Sequence, residues 1–138
     1  MKLKMKKIFL LFFICFLFNS CSVEDEVKFH YVALPVESVV IPSEFILGQT
    51  YQITVKYYKP TTCYGFNGFY FEKDLNVRTI AVRTVVFEDN TNCEATENLF
   101  EENLSFTVTN NGSYIFKFWQ GTNDAGEDVF LEYEIPVN

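Results

Sequence analysis

The sequence predicts an all-β domain that follows an export signal. After residue 35, apolar and polar residues alternate with period two, as half-buried strands do. Phe and Tyr are abundant, with 16 and 8 residues, and short clusters containing Gly, Pro or Asn separate the alternating runs. Helical periodicity is nearly absent. These features together are typical of a β-sandwich or a β-barrel.

The N-terminal leader has the pattern of a secretory signal. Residues 1–7 contain four lysines, and residues 8–18 are an unbroken apolar run. This run fits the apolar region of a signal peptide and is shorter than the roughly 20 residues that a membrane-spanning helix needs. We therefore expect residues 1–20 to be a signal peptide.

The junction after this leader resembles the signal of a bacterial lipoprotein. Ser20 is the small residue before the acceptor Cys21, and Phe18 stands where Leu is commoner, as in the looser form of the Bacteroidetes. The resemblance implies cleavage before Cys21, acylation of that residue, and firm attachment to a lipid bilayer, because several acyl chains anchor stably. The alternative is a soluble secreted protein that is cut near Ser20 and keeps Cys21 as an odd thiol.

Directly after Cys21 comes the acidic segment Ser-Val-Glu-Asp-Glu, residues 22–26. It resembles the export tag that sends some Bacteroidetes lipoproteins to the outer face of the outer membrane. The other interpretation is a solvated linker. We expect an outer-membrane lipid-anchored protein, exposed at the surface or facing the periplasm, with residues 21–35 as an acidic tether and residues 36–138 as the folded domain.

Cleavage would leave a small, strongly acidic chain. Removing 20 of 138 residues leaves 118, and it takes four of the eleven basic residues and none of the eighteen acidic ones. Seven basic against eighteen acidic residues give a net charge of −11. Such a charge argues against nucleic acid as a partner and against an electrostatic attraction to anionic membrane surfaces.

The cysteines predict one disulfide. Cys15 leaves with the leader and Cys21 is the acylation site, so Cys63 and Cys93 remain. Two cysteines in an oxidising compartment most simply pair. A metal site is the rival, but CxxC spacing is missing and His30 is the one histidine of the chain. We expect no metal and no cofactor.

The strands are predicted from alternation and from β-branched residues. After a weak extended segment at residues 27–34, we expect strands at residues 36–41, 50–57, 64–72, 77–87, 104–109, 114–119 and 129–137. Residues 88–102 are predicted to form a long acidic loop, with one helical turn near residues 97–101. Residues 110–113 and 121–128 are predicted turns.

The segment from Asn110 to Phe116 resembles the entry to strand F of an immunoglobulin domain, with Tyr114 as the corner tyrosine. Phe116 then takes the place of the strand F cysteine, so an antibody-type core disulfide is ruled out. Residues 48–55 similarly resemble strand B. The resemblance implies an immunoglobulin-like antiparallel sandwich of about seven strands. In that order, the loops that carry Cys63 and Cys93 meet at one pole.

Among the possible functional features, the sequence favours a binding surface. Trp119 alternates away from the core positions of its strand and lies near the acidic turn. Exposed Trp with neighbouring aromatic residues is the kind of anchor found in binding hot spots and on sugar-stacking platforms. The residues predicted to share this pole and to bind a protein or a glycan are Tyr64, Phe66, Trp119, Asp124 and Asp128.

Catalysis and metal binding are less favoured. The chain offers His30 without a nucleophile partner and many carboxylates without a predicted cleft, so we expect no catalytic residues. Calcium binding by the acidic turn stays open, since Asn123, Asp124, Glu127 and Asp128 carry oxygen ligands without EF-hand spacing. The predicted function is a lipid-anchored, non-catalytic binding or accessory module. The alternatives are a protease inhibitor that presents loops from an immunoglobulin-like scaffold and a structural component of the envelope.

Overall fold

A computed structural model describes residues 27–138, so the predicted signal peptide, Cys21 and the acidic segment lie outside the described residues. The described part is all-β and contains eight strands. These strands are β1 (Phe29–Leu34), β2 (Val36–Val40), β3 (Thr50–Tyr58), β4 (Tyr64–Asp74), β5 (Val77–Phe87), β6 (Leu99–Thr107), β7 (Gly112–Thr122) and β8 (Asp128–Val137).

The strands form two sheets that pack as a sandwich. One sheet has three strands in the order β2-β3-β6, and the other contains β1, β4, β5, β7 and β8. The chain passes from the five-stranded to the three-stranded sheet at Pro35, between β1 and β2. Proline suits this point because it cannot donate a hydrogen bond to a continuing ladder. The predicted all-β sandwich is confirmed.

Strand β5 is the centre of the five-stranded sheet. It pairs with β4 along one edge. Along its other edge, residues 82–87 pair with β1 in antiparallel orientation and residues 77–80 pair with β7 in parallel orientation. Both edges of β5 are therefore paired. The side chains of its inward face, Arg78, Ile80, Val82 and Thr84, are buried, and Ala81 is buried on its outer face.

The structure differs from the sequence predictions at two places. Residues 29–34 are extended, as predicted, but they form a strand of the sandwich and not part of a tether, because β1 pairs with the free edge of β5. Residues 99–102 continue β6 and pair with residues 55–58 of β3 instead of lying in an acidic loop with a helical turn. Glu101 points to solvent and pairs with Lys56, whereas Glu102 is partly buried on the other face of β6.

The strand order also departs from the immunoglobulin arrangement. Strands in the positions of A, B and E share one sheet, and those of F and G pair as a hairpin. The strand in the position of D, β5, would belong with A, B and E in that arrangement. It lies instead with β4 and β7, and its pairing with β7 is parallel.

The core lies between the inner faces of the two sheets. It consists of Leu34, Val36, Phe45, Ile53, Val55, Tyr57, Ile80, Val82, Phe106, Val108, Tyr114, Phe116, Phe118 and Ile135. Phe45 comes from the loop after β2 and packs against Phe106 and Phe116, with ring centroids 5.6 and 5.9 Å apart. This loop closes one side of the core, because Phe45 also exchanges backbone hydrogen bonds with residues 136 and 138.

The corner tyrosine has the predicted geometry. Tyr114 is buried, and its hydroxyl accepts hydrogen bonds from the backbone N–H groups of Thr109 and Asn110, at 3.1 and 2.9 Å. Burial alone would raise the pKa of Tyr114. The hydrogen bonds from Thr109 and Asn110 and the positive charge of Arg78 outweigh it and lower the pKa. The hydroxyl thus holds the β6–β7 turn against the start of β7.

Candidate functional site

The predicted disulfide joins the two loops at one pole. Cys63 and Cys93 are bonded, with their Cα atoms 5.3 Å apart. Around the bond, Thr62 N donates to Glu94 O at 2.9 Å, and Glu94 N donates to the Thr62 hydroxyl at 3.1 Å. The β3–β4 loop and the β5–β6 loop are therefore tied by both covalent and hydrogen bonds.

The chain enters the fold at this same pole. Strand β1 runs antiparallel to β5, and Phe29 pairs with Phe87, the last residue of β5. Glu88 N donates to Lys28 O at 2.9 Å, and His30 lies 3.4 Å from the Glu88 carboxylate. His30 is exposed, and this contact with Glu88 lies at the surface.

Two of the predicted binding residues face inward. Tyr64 and Phe66 pack against the core, and the ring of Phe66 lies 6.4 Å from that of Tyr57 and 5.2 Å from that of Phe69. They pair with Val86 and Thr84, which lie on the inner face of β5. The prediction that these two side chains share a surface with Trp119 is wrong.

Trp119 lies on the outer face of the five-stranded sheet, as its alternation predicted. Its neighbours Phe116 and Phe118 on β7 are buried in the core, whereas Trp119 is partly exposed. The indole N–H donates to the Asp128 carboxylate at 2.8 Å, so the structure brings these two predicted residues together. Asp124 is exposed in the β7–β8 turn and does not line the surface around Trp119.

This outer face contains a groove of about 470 Å³. We call it the aromatic groove. Its lining includes Tyr31, Tyr70, Trp119 and Phe130, with Glu72, Arg83 and Asp128 among them and Ala81 at its floor. Ala81 is small and central, and it is almost fully covered although it points outward. The surrounding rings therefore stand above a shallow floor.

A β-bulge places Tyr70 in this groove. Between Phe66 and Phe69, β4 has one residue more than β5, and Gly68 adopts a positive φ of 80°. One extra residue reverses which side chains face outward. Tyr64 and Phe66 thus face the core before the bulge, while Tyr70 pairs with Ala81 on the outer face after it.

Polar groups hold the rings of the aromatic groove in place. The Tyr70 hydroxyl donates to Glu72 at 3.0 Å, and this hydrogen bond, more than the carboxylate's charge, raises the pKa of Tyr70. The Arg83 guanidinium lies over the ring of Tyr31, 5.6 Å from its centroid, and its Nε donates to the Asn67 carbonyl. Both signs of charge therefore flank the rings.

The sequence analysis missed Tyr31, Tyr70, Phe130 and Arg83 as members of this surface. Phe130 carried a usable signal, because it alternates with the inward residues of β8 and stands directly opposite Trp119. Tyr31 and Tyr70 belong to strands that meet through β5 alone, and no local pattern indicates that pairing.

The acidic turn uses its oxygen atoms internally. The Asn123 side-chain oxygen accepts from Ala125 N and Glu127 N, at 3.0 and 2.9 Å, and its amide donates to the Glu127 carboxylate at 3.0 Å. Within residues 27–138, no group of three or more His, Cys, Asp or Glu side chains is placed to hold a metal ion.

The chain matches no protein-family model, no curated protein and no solved structure. Among the described residues, the structure has no helix with the length and apolar character needed to cross a membrane.

Proposed function

We propose that this protein is a lipid-anchored, extracytoplasmic and non-catalytic binding module whose aromatic groove takes an uncharged glycan chain. The observation that carries the proposal is the set of exposed rings Tyr31, Tyr70 and Trp119 around the floor at Ala81. The lipid anchor in this proposal is inferred from the sequence of the leader and from Cys21.

The chemistry of the groove favours a hydroxyl-rich, uncharged ligand. Aromatic faces can pack against the apolar C–H faces of sugar rings, and aromatic anchors supply much of the binding energy at protein interfaces. Glu72 and Asp128 can accept hydrogen bonds from hydroxyl groups, and Arg83 can donate them. Because acidic and basic groups flank the same rings, a ligand of either charge sign would meet a like charge.

The rigidity of the groove supports this proposal. Its rings project from four strands of the five-stranded sheet, and the Trp119–Asp128 hydrogen bond restrains the largest ring. Side chains that are already ordered lose less conformational entropy when a ligand binds. A sheet face of this kind is better suited to hold a ligand than the short loops at the disulfide pole.

The proposal includes an immunoglobulin-related scaffold. Its support is the corner tyrosine Tyr114 together with the sheet of β2, β3 and β6, which corresponds to strands A, B and E. The displaced strand β5 is the feature that distinguishes this arrangement, and it is the strand on which the groove is built.

Trp119 is the one tryptophan of the chain, so its fluorescence reports on the groove directly. We expect neutral oligosaccharides from a glycan panel to shift the emission of Trp119 in a saturable way. Tyr70→Ala keeps the reporter and should weaken that binding by about tenfold or more, as loss of an interface anchor does. Tyr58→Ala is the matched control, because Tyr58 is similarly exposed and lies outside the groove.

A panel in which no glycan shifts the emission, or in which Tyr58→Ala and Tyr70→Ala weaken binding equally, would exclude the groove as a glycan site. The anchor is tested separately by labelling cells with palmitate. Incorporation into the protein that is lost in Cys21→Ala supports acylation, and absence of label in the parent protein contradicts it.

A further inference from the structure

An exposed apolar cluster lies where the chain enters the sandwich. Phe29 and Phe87 pair across β1 and β5, with ring centroids 6.2 Å apart, and their side chains are 49% and 45% exposed. Val27, two residues before Phe29, is 61% exposed. We call Val27, Phe29 and Phe87 the entry cluster. Large apolar groups grouped at one place on a surface often mark an interaction site.

The entry cluster belongs to the disulfide pole. Phe87 ends β5, and the chain continues from it into the loop that carries Cys93. The opposite pole carries the β2–β3 loop, where Ile46 and Leu47 are exposed. Because the chain enters the sandwich at the disulfide pole, an anchor that precedes residue 27 lies near this pole and not near the opposite one.

The chain between Cys21 and Val27 is short. Six residue steps span at most about 20 Å even when fully extended. If Cys21 carries the lipid, as proposed above, the entry cluster cannot lie farther than this from the membrane surface. A tether of this length also gives the cluster a high local concentration at the bilayer, so a weak affinity is enough to hold it there.

We infer that the entry cluster inserts into the interfacial region of the bilayer that holds the anchor, and that it prefers neutral zwitterionic lipid. Phe side chains of interfacial segments are buried at the boundary between lipid head groups and acyl chains. Glu88 and Asp89 follow the cluster directly, and Glu24, Asp25 and Glu26 precede it. These five carboxylates outnumber Lys28, which lies between Val27 and Phe29, so the local charge is negative and repels anionic head groups. Apolar contact therefore supplies the attraction to the bilayer.

This inference rests on the proposed anchor and gives it an orientation. The disulfide pole faces the membrane, and the Ile46–Leu47 loop points away from it. The aromatic groove lies on the side of the sandwich, next to the cluster through Tyr31, whose ring lies 5.6 Å from that of Phe29. A ligand would then reach the groove parallel to the membrane.

Quenching of tryptophan by brominated lipid tests the inference. Phe87→Trp and Leu47→Trp place a second tryptophan at the two opposite poles, and the parent protein supplies the signal of Trp119 alone. In the acylated protein on vesicles of dibrominated phosphatidylcholine, we expect the added emission of Phe87→Trp to fall by about twofold or more, since interfacial side chains lie within reach of the brominated chains. The added emission of Leu47→Trp should stay unchanged.

Equal quenching of the two variants would overturn the inference. Replacing half of the lipid by dibrominated phosphatidylserine keeps the density of the quencher constant and should reduce the quenching of Phe87→Trp, and unchanged or increased quenching would overturn the preference for neutral lipid. Flotation of the same vesicles shows whether the protein is bound to them at all, so it distinguishes failure of the lipid anchor from failure of the entry cluster to insert. If the native protein does not float, the mature chain is coupled through Cys21 to a maleimide lipid, and the quenching comparison is repeated on that tethered form.

Discussion

The outer faces of the two sheets differ sharply in chemistry. On the three-stranded sheet, cross-strand polar pairs join β3 and β6 and satisfy one another. They are Thr50–Thr107, Gln52–Ser105, Thr54–Asn103 and Lys56–Glu101, at 2.9, 3.2, 2.9 and 2.7 Å. On the five-stranded sheet, the outer face carries the aromatic groove.

This difference supports the proposal that the outer face of the five-stranded sheet is the binding face. A sandwich needs apolar residues only on the inner faces of its sheets, and polar outer faces keep it soluble. The ladder on β3 and β6 meets that need and leaves few groups free to bind a ligand. The rings around Ala81 are not required by the fold, so a ligand is the simplest reason for their exposure.

The largest expected effect is a loss of stability at the disulfide pole that leaves the aromatic groove unchanged. Replacing Cys63 and Cys93 together by Ala should lower the free energy of unfolding by about 3–4 kcal/mol, because a loop of this length loses its constraint in the unfolded state. Denaturant titration measures this loss. The emission of Trp119 in the folded double variant should match that of the parent, since the groove stands on β-strands away from the bond. A changed emission would mean that the pole shapes the groove.

Trp119→Ala against Gln52→Ala compares the two outer faces directly. We expect Trp119→Ala to weaken glycan binding by about 2 kcal/mol, roughly 30-fold, as truncation of a binding anchor does. Gln52→Ala should leave the affinity unchanged. Isothermal titration with the oligosaccharide identified by fluorescence measures both. Comparable losses from the two variants would remove the distinction between the faces.

The inner faces can be compared through two buried tyrosines, one from each sheet. Tyr114→Phe should cost about 1–3 kcal/mol, because the hydroxyl of Tyr114 accepts two partly buried hydrogen bonds from backbone N–H groups and both are lost. Tyr57 is fully buried, and its hydroxyl has no hydrogen-bond partner within residues 27–138. Tyr57→Phe should therefore leave stability equal or slightly higher. Denaturant titration measures the free energy of unfolding of both variants. An equal loss of stability in the two would contradict the expected difference between the tyrosines.

We also expect the stability of the protein to fall at alkaline pH because of Tyr57. Burial, together with the charge of Glu102, raises the pKa of Tyr57 to about 12. Below pH 10 the folded and unfolded states both keep the proton, so this group adds no pH dependence. Between pH 10 and 12 the unfolded state releases the proton and the folded state retains it, so stability falls as pH rises. Tyr57→Phe should show a smaller fall over this window, and an unchanged fall would contradict the assignment.

The smallest effect is expected on the polar outer face. Lys56→Gln breaks a partly exposed ion pair with Glu101 and should change stability by less than about 0.5 kcal/mol, because solvent screens such surface pairs. Thermal unfolding at low and at high salt measures it. A loss of several kcal/mol would mean that this polar face contributes substantially to the stability of the fold.

Local patterns predicted much of the fold because they depend on near neighbours in the chain. The alternation around Phe116 indicated a strand and its buried side, and the spacing of Asn110, Gly112 and Tyr114 indicated the corner. The disulfide followed from removing Cys15 and Cys21 from the count. The start of β6 was missed because its first four residues carry two glutamates, and pairing with β3 outweighed their charge.

The groove depended on facts that no local pattern contains. Sequence alone determined that Trp119 points away from the core, since alternation along one strand is a local property. It did not determine where Tyr70 points, because the bulge at Gly68 reverses the faces of β4 halfway along the strand. Nor did it determine that β1, β4 and β7 all meet β5, because pairing between distant strands is decided by how the whole core packs. The groove exists only where those pairings place the rings together.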